Sequence, residues 1–191
     1  EIVKMLLGHQ KIDVNTLDKH GSTALMYAVR QNRIEVVDLL LKHSQFDADV
    51  NILNAALRYA AINGHTEIVK LLLNKLGVDI NGNNIDYHAV MLSVTGEHEE
   101  IVKLFLEKGA DVNKKYCDEK FTALMYAVQS GNAKMVRLLL SQQDIDINAK
   151  NDEGETALDI AKRTGRRSII RLIQSQIAPQ SQQFESVKKN I

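Results

Sequence analysis

The stretch from Asp18 to Leu41 decides the fold and reads DKHGSTALMYAVRQNRIEVVDLLL. Its apolar residues Leu25, Ala28 and Val29 recur at the spacing of a helix. Thr23, just before them, is a good N-cap residue because its hydroxyl can accept a backbone N–H. A second apolar run, IEVVDLLL, follows a short polar turn and predicts a second helix. The stretch therefore predicts a helix–turn–helix unit with small alanines at the helix contact.

The same unit recurs along the chain. An Asp, an aliphatic residue and an Asn occur together five times, about 33 residues apart, beginning at Asp13, Asp49, Asp79, Asp111 and Asp146. The phrase Thr-Ala-Leu also recurs, at positions 23, 122 and 156. Such regular arrays arise when each unit buries its apolar side only against its neighbours. The expected fold is an all-α solenoid of stacked helix pairs.

The chain resembles ankyrin repeats, whose pattern is roughly Asp-x-x-Gly-x-Thr-Pro-Leu-His-x-Ala-Ala-x-x-Gly-His-x-Glu-Val-Val-x-Leu-Leu-Leu, then Gly-Ala-Asp-Val-Asn. Residues 18–41, 113–140 and 152–173 follow this pattern closely, and residues 64–69 and 109–113 match their segments directly. The resemblance implies an ankyrin-repeat solenoid in which β-hairpin fingers protrude from the stacked helix pairs. It covers residues 1–173 and predicts a half repeat over 1–15, repeats over 16–51, 52–81, 82–113, 114–148 and 149–173, and a polar flexible tail over 174–191.

Several positions depart from that pattern. Only four residues lead from Asn51 to Ala55, too few for a two-stranded hairpin, so we expect no finger there. The family's histidine, which braces the loop, is replaced by other residues, which predicts looser loops: Met26, Arg58, Met91, Met125 and Asp159. The half repeat predicts that the chain is a fragment of a longer array, and a capping helix is the alternative.

Composition narrows the possible partners. The 24 Lys and Arg residues balance the 24 Asp and Glu residues, which leaves no long-range field to attract nucleic acid or an anionic membrane. Cys117 is the single cysteine and favours a reducing compartment, which we expect to be the cytoplasm. No run approaches the ~20 apolar residues of a membrane-spanning helix. We expect no membrane insertion.

Catalytic and cofactor motifs are absent from the sequence. It has no Gly-rich phosphate loop, and His98-Glu99 lacks the second histidine of a zinc protease. Cys117 has no second thiol with which to share a metal. The acidic loop from Asp144 to Glu155 partly mimics a calcium loop, but Ala149 occupies the place of its glycine. We expect no catalytic residue, cofactor, metal or small-molecule substrate. We therefore expect that the chain is not an enzyme.

A basic cluster lies near the end of the repeats, with five positive charges in ten residues: Lys162, Arg163, Arg166, Arg167 and Arg171. The first interpretation is a solvated face on which Lys162 and Arg163 lie favourably near a helix C-terminus. The alternative is a docking patch for an acidic partner or a lipid headgroup.

The resemblance implies a partner protein bound along the fingers and the first helices. Tyrosine recurs in one slot of the first helix, and aromatic residues in the fingers are the expected anchors, because a finger needs no apolar side chain for its own fold. We expect a partner across the first four repeats, anchored by Tyr87, Tyr116 and Phe121. The other expected contact residues are Lys19, His20, Ser22, Tyr27, Arg30, Gln31, Tyr59, Asn63, Asp86, Lys115, Lys120, Tyr126, Gln129 and Ser130.

The sequence therefore predicts a monomeric, non-catalytic protein–protein interaction module. The alternative is a targeting or regulatory segment of a larger enzyme or effector, whose activity lies outside this chain. Fold alone does not choose between the two, because repeat arrays of one fold serve unrelated functions.

Overall fold

The computed structural model describes residues 1–9, 11–47, 50–76, 88–116 and 120–188, the last of these with side chains only to residue 177. The side chains of residues 75, 76 and 88 also lie outside the description. The chain divides into two compact units, unit 1 (Glu1–Gly109) and unit 2 (Ala110–Ile191).

Unit 1 is built from helices joined by turns and loops. Its described residues form α1 (Ile2–Leu7), α2 (Ala24–Arg30), α3 (Ile34–Lys42), α4 (Val50–Ile62), α5 (Thr66–Leu76), α6 (His88–Thr95) and α7 (Glu99–Glu107). The pairs α2–α3, α4–α5 and α6–α7 are helical hairpins. Within the unit, α4 packs between α2 and α6, and α5 packs between α3 and α7. We call α2, α4 and α6 the first helices, and α3, α5 and α7 the second helices.

The core of unit 1 runs between these hairpins. Val29 on α2 and Leu57 on α4 have no exposed surface, and neither have Val37, Val69 and Phe105 on the second helices. Each such aliphatic or aromatic side chain contributes about 1.5–3 kcal/mol on burial. A helix pair alone would leave this surface in water, so each pair depends on its neighbours.

Unit 2 contains two further hairpins of helices and one of strands. Strands β1 (Lys115–Tyr116) and β2 (Phe121–Thr122) pair antiparallel and lead into α8 (Ala123–Ser130), which pairs with α9 (Ala133–Leu140). The second pair is α10 (Ala157–Arg163) with α11 (Arg167–Lys188). Here α8 and α10 are the first helices, and α9 and α11 are the second helices. The first helices pack together, as do the second helices.

Threonine residues cap the N-termini of several first helices, as the sequence predicts. The hydroxyl oxygens of Thr23, Thr122 and Thr156 each accept a hydrogen bond from the backbone N–H three residues later. At the family's histidine site, the Met125 sulfur and the Asp159 carboxylate accept the N–H of the capping threonine in return. These two side chains therefore supply part of the bracing that the missing histidine would give.

Side chains also bridge successive repeats within each unit. The His65 Nδ1 atom lies 3.0 Å from the Val29 carbonyl oxygen, and the His98 Nε2 atom lies 3.0 Å from that of Ile62. The Asn113 side chain donates to the Asp144 carbonyl oxygen at 2.6 Å and accepts from the Asp146 N–H at 2.7 Å. These bonds engage backbone groups at helix and loop ends and tie one repeat to the next.

The structure bears on two expectations about where elements begin and end. Helix α4 already begins at Val50, which confirms that no hairpin lies between Asn51 and Ala55. Helix α11 continues to Lys188, past residue 174 where the polar tail is predicted to begin, and the flexibility of that tail stays a prediction. No glycine follows Gly165 to end that helix, and its glutamines are good helix formers. The division into a half repeat and five repeats stays a prediction.

The turns between paired helices pass through left-handed backbone. Gly64 has a φ of 72° and Glu97, at the equivalent place, has a φ of 61°. A side chain with a β-carbon is strained in this region. We therefore expect Glu97→Gly to raise the free energy of unfolding by about 1 kcal/mol, measured by urea denaturation of the full chain.

Gly64→Ala is the control and should have the opposite effect. Its new β-carbon would meet the same backbone strain and would also lie 2.6 Å from a carbon of the His98 ring. An unchanged or lower stability for Glu97→Gly would show that this turn is unstrained.

Candidate protein-interaction surface

The first helices of unit 1 expose large apolar side chains on the side that faces away from the second helices. Tyr27 on α2 is 46% exposed, and on α4 Tyr59 is 41% and Ile62 is 45% exposed. The opposite sides of these helices carry the buried Leu25 and Leu57. We call Tyr27, Arg30, Arg58, Tyr59, Ile62 and Leu92 the first-helix surface.

An arginine and a tyrosine meet at the centre of this surface. The guanidinium carbon of Arg30 lies over the ring of Tyr59, 5.6 Å from its centroid. Such a cation–π contact stabilises by about 0.5–1 kcal/mol at an exposed site and limits the motion of both side chains. Next to it, Arg58, Tyr59, Ile62 and Leu92 line an open cavity of about 310 Å³.

Tyr27 is held by the turn that precedes α2. Its hydroxyl donates to Asp18 Oδ2 at 2.6 Å, while the other carboxylate oxygen of Asp18 accepts the N–H groups of His20 and Ser22, each at 2.8 Å. The hydrogen bond from Tyr27 is the largest cause that lowers the pKa of Asp18, followed by the one from Ser22. The same bond raises the pKa of Tyr27. The tyrosine ring is therefore fixed before any partner arrives.

The finger of unit 2 places its aromatic residues differently from expectation. Tyr116 is 3% exposed and Phe121 is 6% exposed. The rings of Phe121 and Tyr126 lie 5.1 Å apart at 49°, so the hairpin folds back onto α8. This burial contradicts the premise that a finger needs no apolar side chain for its own fold, on which the expectation of Tyr116 and Phe121 as partner anchors depended. Their burial supports the hairpin itself.

The remaining predicted contact residues are mostly accessible. Ser22 and Tyr126 are partly buried, Lys120 forms an ion pair with Asp152 at 2.9 Å, and Asp86 and Tyr87 lie outside the described residues. Exposed are Lys19, His20, Gln31, Asn63, Lys115, Gln129 and Ser130.

Three members of the first-helix surface are not among the contact residues that the sequence predicts: Arg58, Ile62 and Leu92. In the sequence, Arg58 stands only as a replacement for the family's histidine, and Leu92 carries no signal because the pattern makes it an ordinary helical leucine. Ile62 did carry a signal. It aligns with Arg30 at the end of the first helix, a place where an isoleucine has no packing role.

The acidic loop that partly mimics a calcium site uses its oxygens within the protein. Glu155 accepts two hydrogen bonds from the Arg163 guanidinium, at 2.8 and 3.0 Å, and the Asp146 carboxylate accepts the Asn148 N–H. The Arg163 contact lowers the pKa of Glu155. Throughout the described parts of the chain, no three potential ligands among His, Cys, Asp and Glu gather closely enough to hold a metal ion. Cys117 lies outside these parts.

Comparison with known families agrees with this architecture. The family model of ankyrin repeats matches the chain in three copies, over residues 1–54, 47–116 and 114–183. The chain belongs to the ankyrin repeat family. Ankyrin repeats generally act in protein–protein interaction and are typically non-catalytic. No helix in the described ranges has the length and apolar character that crossing a membrane requires.

Phe121 should act as a core residue of the ankyrin array rather than as a free anchor. We expect Phe121→Ala to lower the free energy of unfolding by about 3 kcal/mol, because it removes a buried ring and leaves a cavity. Phe121→Leu should cost less, since it refills part of that volume. Chemical denaturation of the three chains measures both effects, and equal stability of all three would contradict the buried position.

The Tyr27–Asp18 contact makes a prediction about pH. Because the folded-state pKa of Asp18 is lowered, its contribution to stability is present above the pKa of the unfolded chain and is lost as pH falls through the folded pKa. Tyr27→Phe removes the largest cause, so the pKa of Asp18 should rise while the N–H bonds retain part of the depression. NMR titration of the Asp18 carboxyl carbon measures this. An unchanged pKa in the variant would contradict the contact.

Proposed function

We propose that this ankyrin protein is a non-catalytic interaction module that binds a partner polypeptide on the first-helix surface of unit 1. The observation that carries the proposal is the open cavity beside Tyr59, bordered by Ile62 and Leu92 and accompanied by the Arg30–Tyr59 contact. Exposed isoleucine and tyrosine side chains that adjoin a cavity and two arginines are characteristic of a binding site rather than of a solvated surface.

The surface suits a particular kind of partner. The cavity can accept an apolar side chain, and the positive charges of Arg58, which lines it, and of Arg30 beside it suit carboxylates next to that side chain. Tyr59 loses little freedom on binding because Arg30 already limits its motion. The partner is therefore proposed to present an apolar residue flanked by acidic ones.

The proposal extends to the surroundings of this surface. Tyr27 of that surface donates a hydrogen bond to Asp18, and the exposed Lys19 and His20 lie on the same turn as Asp18. Gln31 and Asn63 lie just beyond the ends of α2 and α4. We further propose that the chain acts as a monomer in a reducing compartment.

A pair of matched substitutions tests the binding face. Ile62→Asp places a charge beside the cavity, and we expect it to weaken the affinity for a partner selected from a peptide-display library by about tenfold or more. Isothermal titration calorimetry measures the affinity. NMR of the labelled chain should show partner-induced shifts concentrated on α2, α4 and α6.

Ile34→Asp is the matched control. Ile34 is 41% exposed, close to the 45% of Ile62, but begins α3, a second helix. Asp is well tolerated in the first turn of a helix, so this variant should fold and bind as the parent does. Equal loss from both substitutions, or loss from Ile34→Asp alone, would place the partner elsewhere.

A further inference from the structure

Charged side chains follow one pattern on α5 and α7, two of the second helices of unit 1. Lys70 on α5 forms ion pairs with Glu67 on its own helix at 2.7 Å and with Glu100 on α7 at 3.2 Å. Counted from His65 and His98, the residues just before α5 and α7, both glutamates occupy the second position and Lys70 occupies the fifth. The repeat thus pairs its outer cation with acids of its own and of the following helix.

Unit 2 keeps the cation of this pattern and loses the acids. Counted in the same way from Asn132 and Arg166, the fifth position holds Arg137 on α9 and Arg171 on α11. The second position, which holds glutamate in unit 1, holds Lys134 and Ser168 instead. Helices α9 and α11 pack against each other as α5 and α7 do. The positive charges at the fifth position are therefore repeated in unit 2, but the glutamates at the second position are not.

Because Lys134 and Ser168 stand where unit 1 has glutamate, the second helices of unit 2 have no acidic residue among their described side chains, residues 133–140 and 167–177. By contrast, α3, α5 and α7 each carry glutamate in the first turn. Lys134 and Arg167 lie in the first turns of their helices, where the helix dipole disfavours positive charge. Each also lies three or four residues before an arginine on the same helix, so that two like charges are neighbours. This arrangement weakens both helices, which argues for a use outside the fold.

The structure also separates this surface from the basic cluster of the sequence. Arg163 is held by Glu155, and the Arg166 guanidinium donates to the Gln129 carbonyl oxygen at 3.4 Å. These two arginines therefore serve the fold. Lys134, Arg137, Arg167 and Arg171 are exposed on the second helices, and we call these four side chains the basic outer surface.

The other acidic residues of unit 2 whose side chains are described do not lie on these helices. They lie in the loops or at the start of α10: Asp111, Asp144, Asp146, Asp152, Glu153, Glu155 and Asp159. Asp152 pairs with Lys120, and Asp159 accepts hydrogen bonds from Thr156.

We propose that the basic outer surface binds an acidic segment of another polypeptide, which supplies the carboxylates that unit 1 provides from its own glutamates. Packed helices lie about 8–10 Å apart, and residues three apart in an extended chain span about 10 Å. Acidic residues at every third position of an extended segment would therefore meet successive helices. Arginine guanidinium groups bind carboxylates through two parallel hydrogen bonds, which favours this partner.

A lipid surface fits the same region less well. The large hydrophobic side chains that stand exposed in the described structure all lie between residues 2 and 62, in unit 1. The basic outer surface therefore has no exposed large apolar side chain of the kind that buries itself at a membrane interface.

The test uses the full chain and a fluorescein-labelled peptide of repeated Glu-Gly-Ser, with a Gln-Gly-Ser peptide as the uncharged probe. Fluorescence anisotropy should show binding of the Glu peptide alone, and weaker binding as ionic strength rises towards about 0.15 M. Lys134→Glu should weaken this binding about tenfold, since it adds repulsion and gives Arg137 an internal partner. The double substitution Arg137→Gln with Arg171→Gln should have a similar effect.

Two comparisons keep the proposal falsifiable. Lys134→Glu restores an acid to the first turn of α9, so its thermal midpoint should be no lower than that of the parent, and lost binding cannot then be attributed to unfolding. Lys103→Glu makes the same change in charge at the fifth position of α7 in unit 1, and it should leave affinity unchanged.

Three results would overturn the proposal. The first is equal loss from Lys103→Glu, which would indicate only a response to net charge. The second is no difference between the Glu and Gln peptides. The third is binding to vesicles of phosphatidylcholine with phosphatidylserine, sensitive to Arg137→Gln with Arg171→Gln, in a chain that does not bind the Glu peptide. None of these depends on the first-helix surface, which lies in unit 1.

Discussion

The burial of each helix pair against the next is the constraint on which the rest of this protein depends. A pair such as α4–α5 has apolar residues on more than one side, and Leu57 and Val69 lose all contact with water only because other pairs lie beside them. Histidine and asparagine side chains then bind carbonyls of the neighbouring repeat, which fixes the position of one pair on another. Packing decides stability, and these hydrogen bonds decide register.

That arrangement leaves side chains in two functional classes. Residues that face other helices are committed to the core, and substitutions there act on folding. Residues on the free sides of the first and second helices carry no such duty, so their chemistry can respond to partners. Tyr59 with Ile62 on a first helix, and Arg137 with Arg171 on second helices, illustrate how the two kinds of helix can present unlike surfaces.

Much of the fold was predictable because it is local and repeated. Thr23, Thr122 and Thr156 indicate where helices begin, because threonine is a good N-cap residue. The link from Asn51 to Ala55 is too short for a hairpin. The burial of Tyr116 and Phe121 was missed because periodicity does not show that a two-stranded finger folds back onto α8. The sequence also did not reveal that the lack of glutamate at positions 134 and 168 is significant. That significance depends on the ion pairs by which Lys70 joins two helices.

The glycine at position 64 has a consequence for how such repeats can be recombined. Its bare α-carbon leaves space for the imidazole of His98, which reaches the Ile62 carbonyl through Nε2. One repeat earlier, where Asn32 takes the place of that glycine, His65 reaches its carbonyl through Nδ1. Turn and imidazole thus form a matched couple that spans two modules. Because Gly64 and His65 are neighbours in the chain, successive couples overlap, and a module moved into another array has to match one neighbour at its turn and the other at its imidazole.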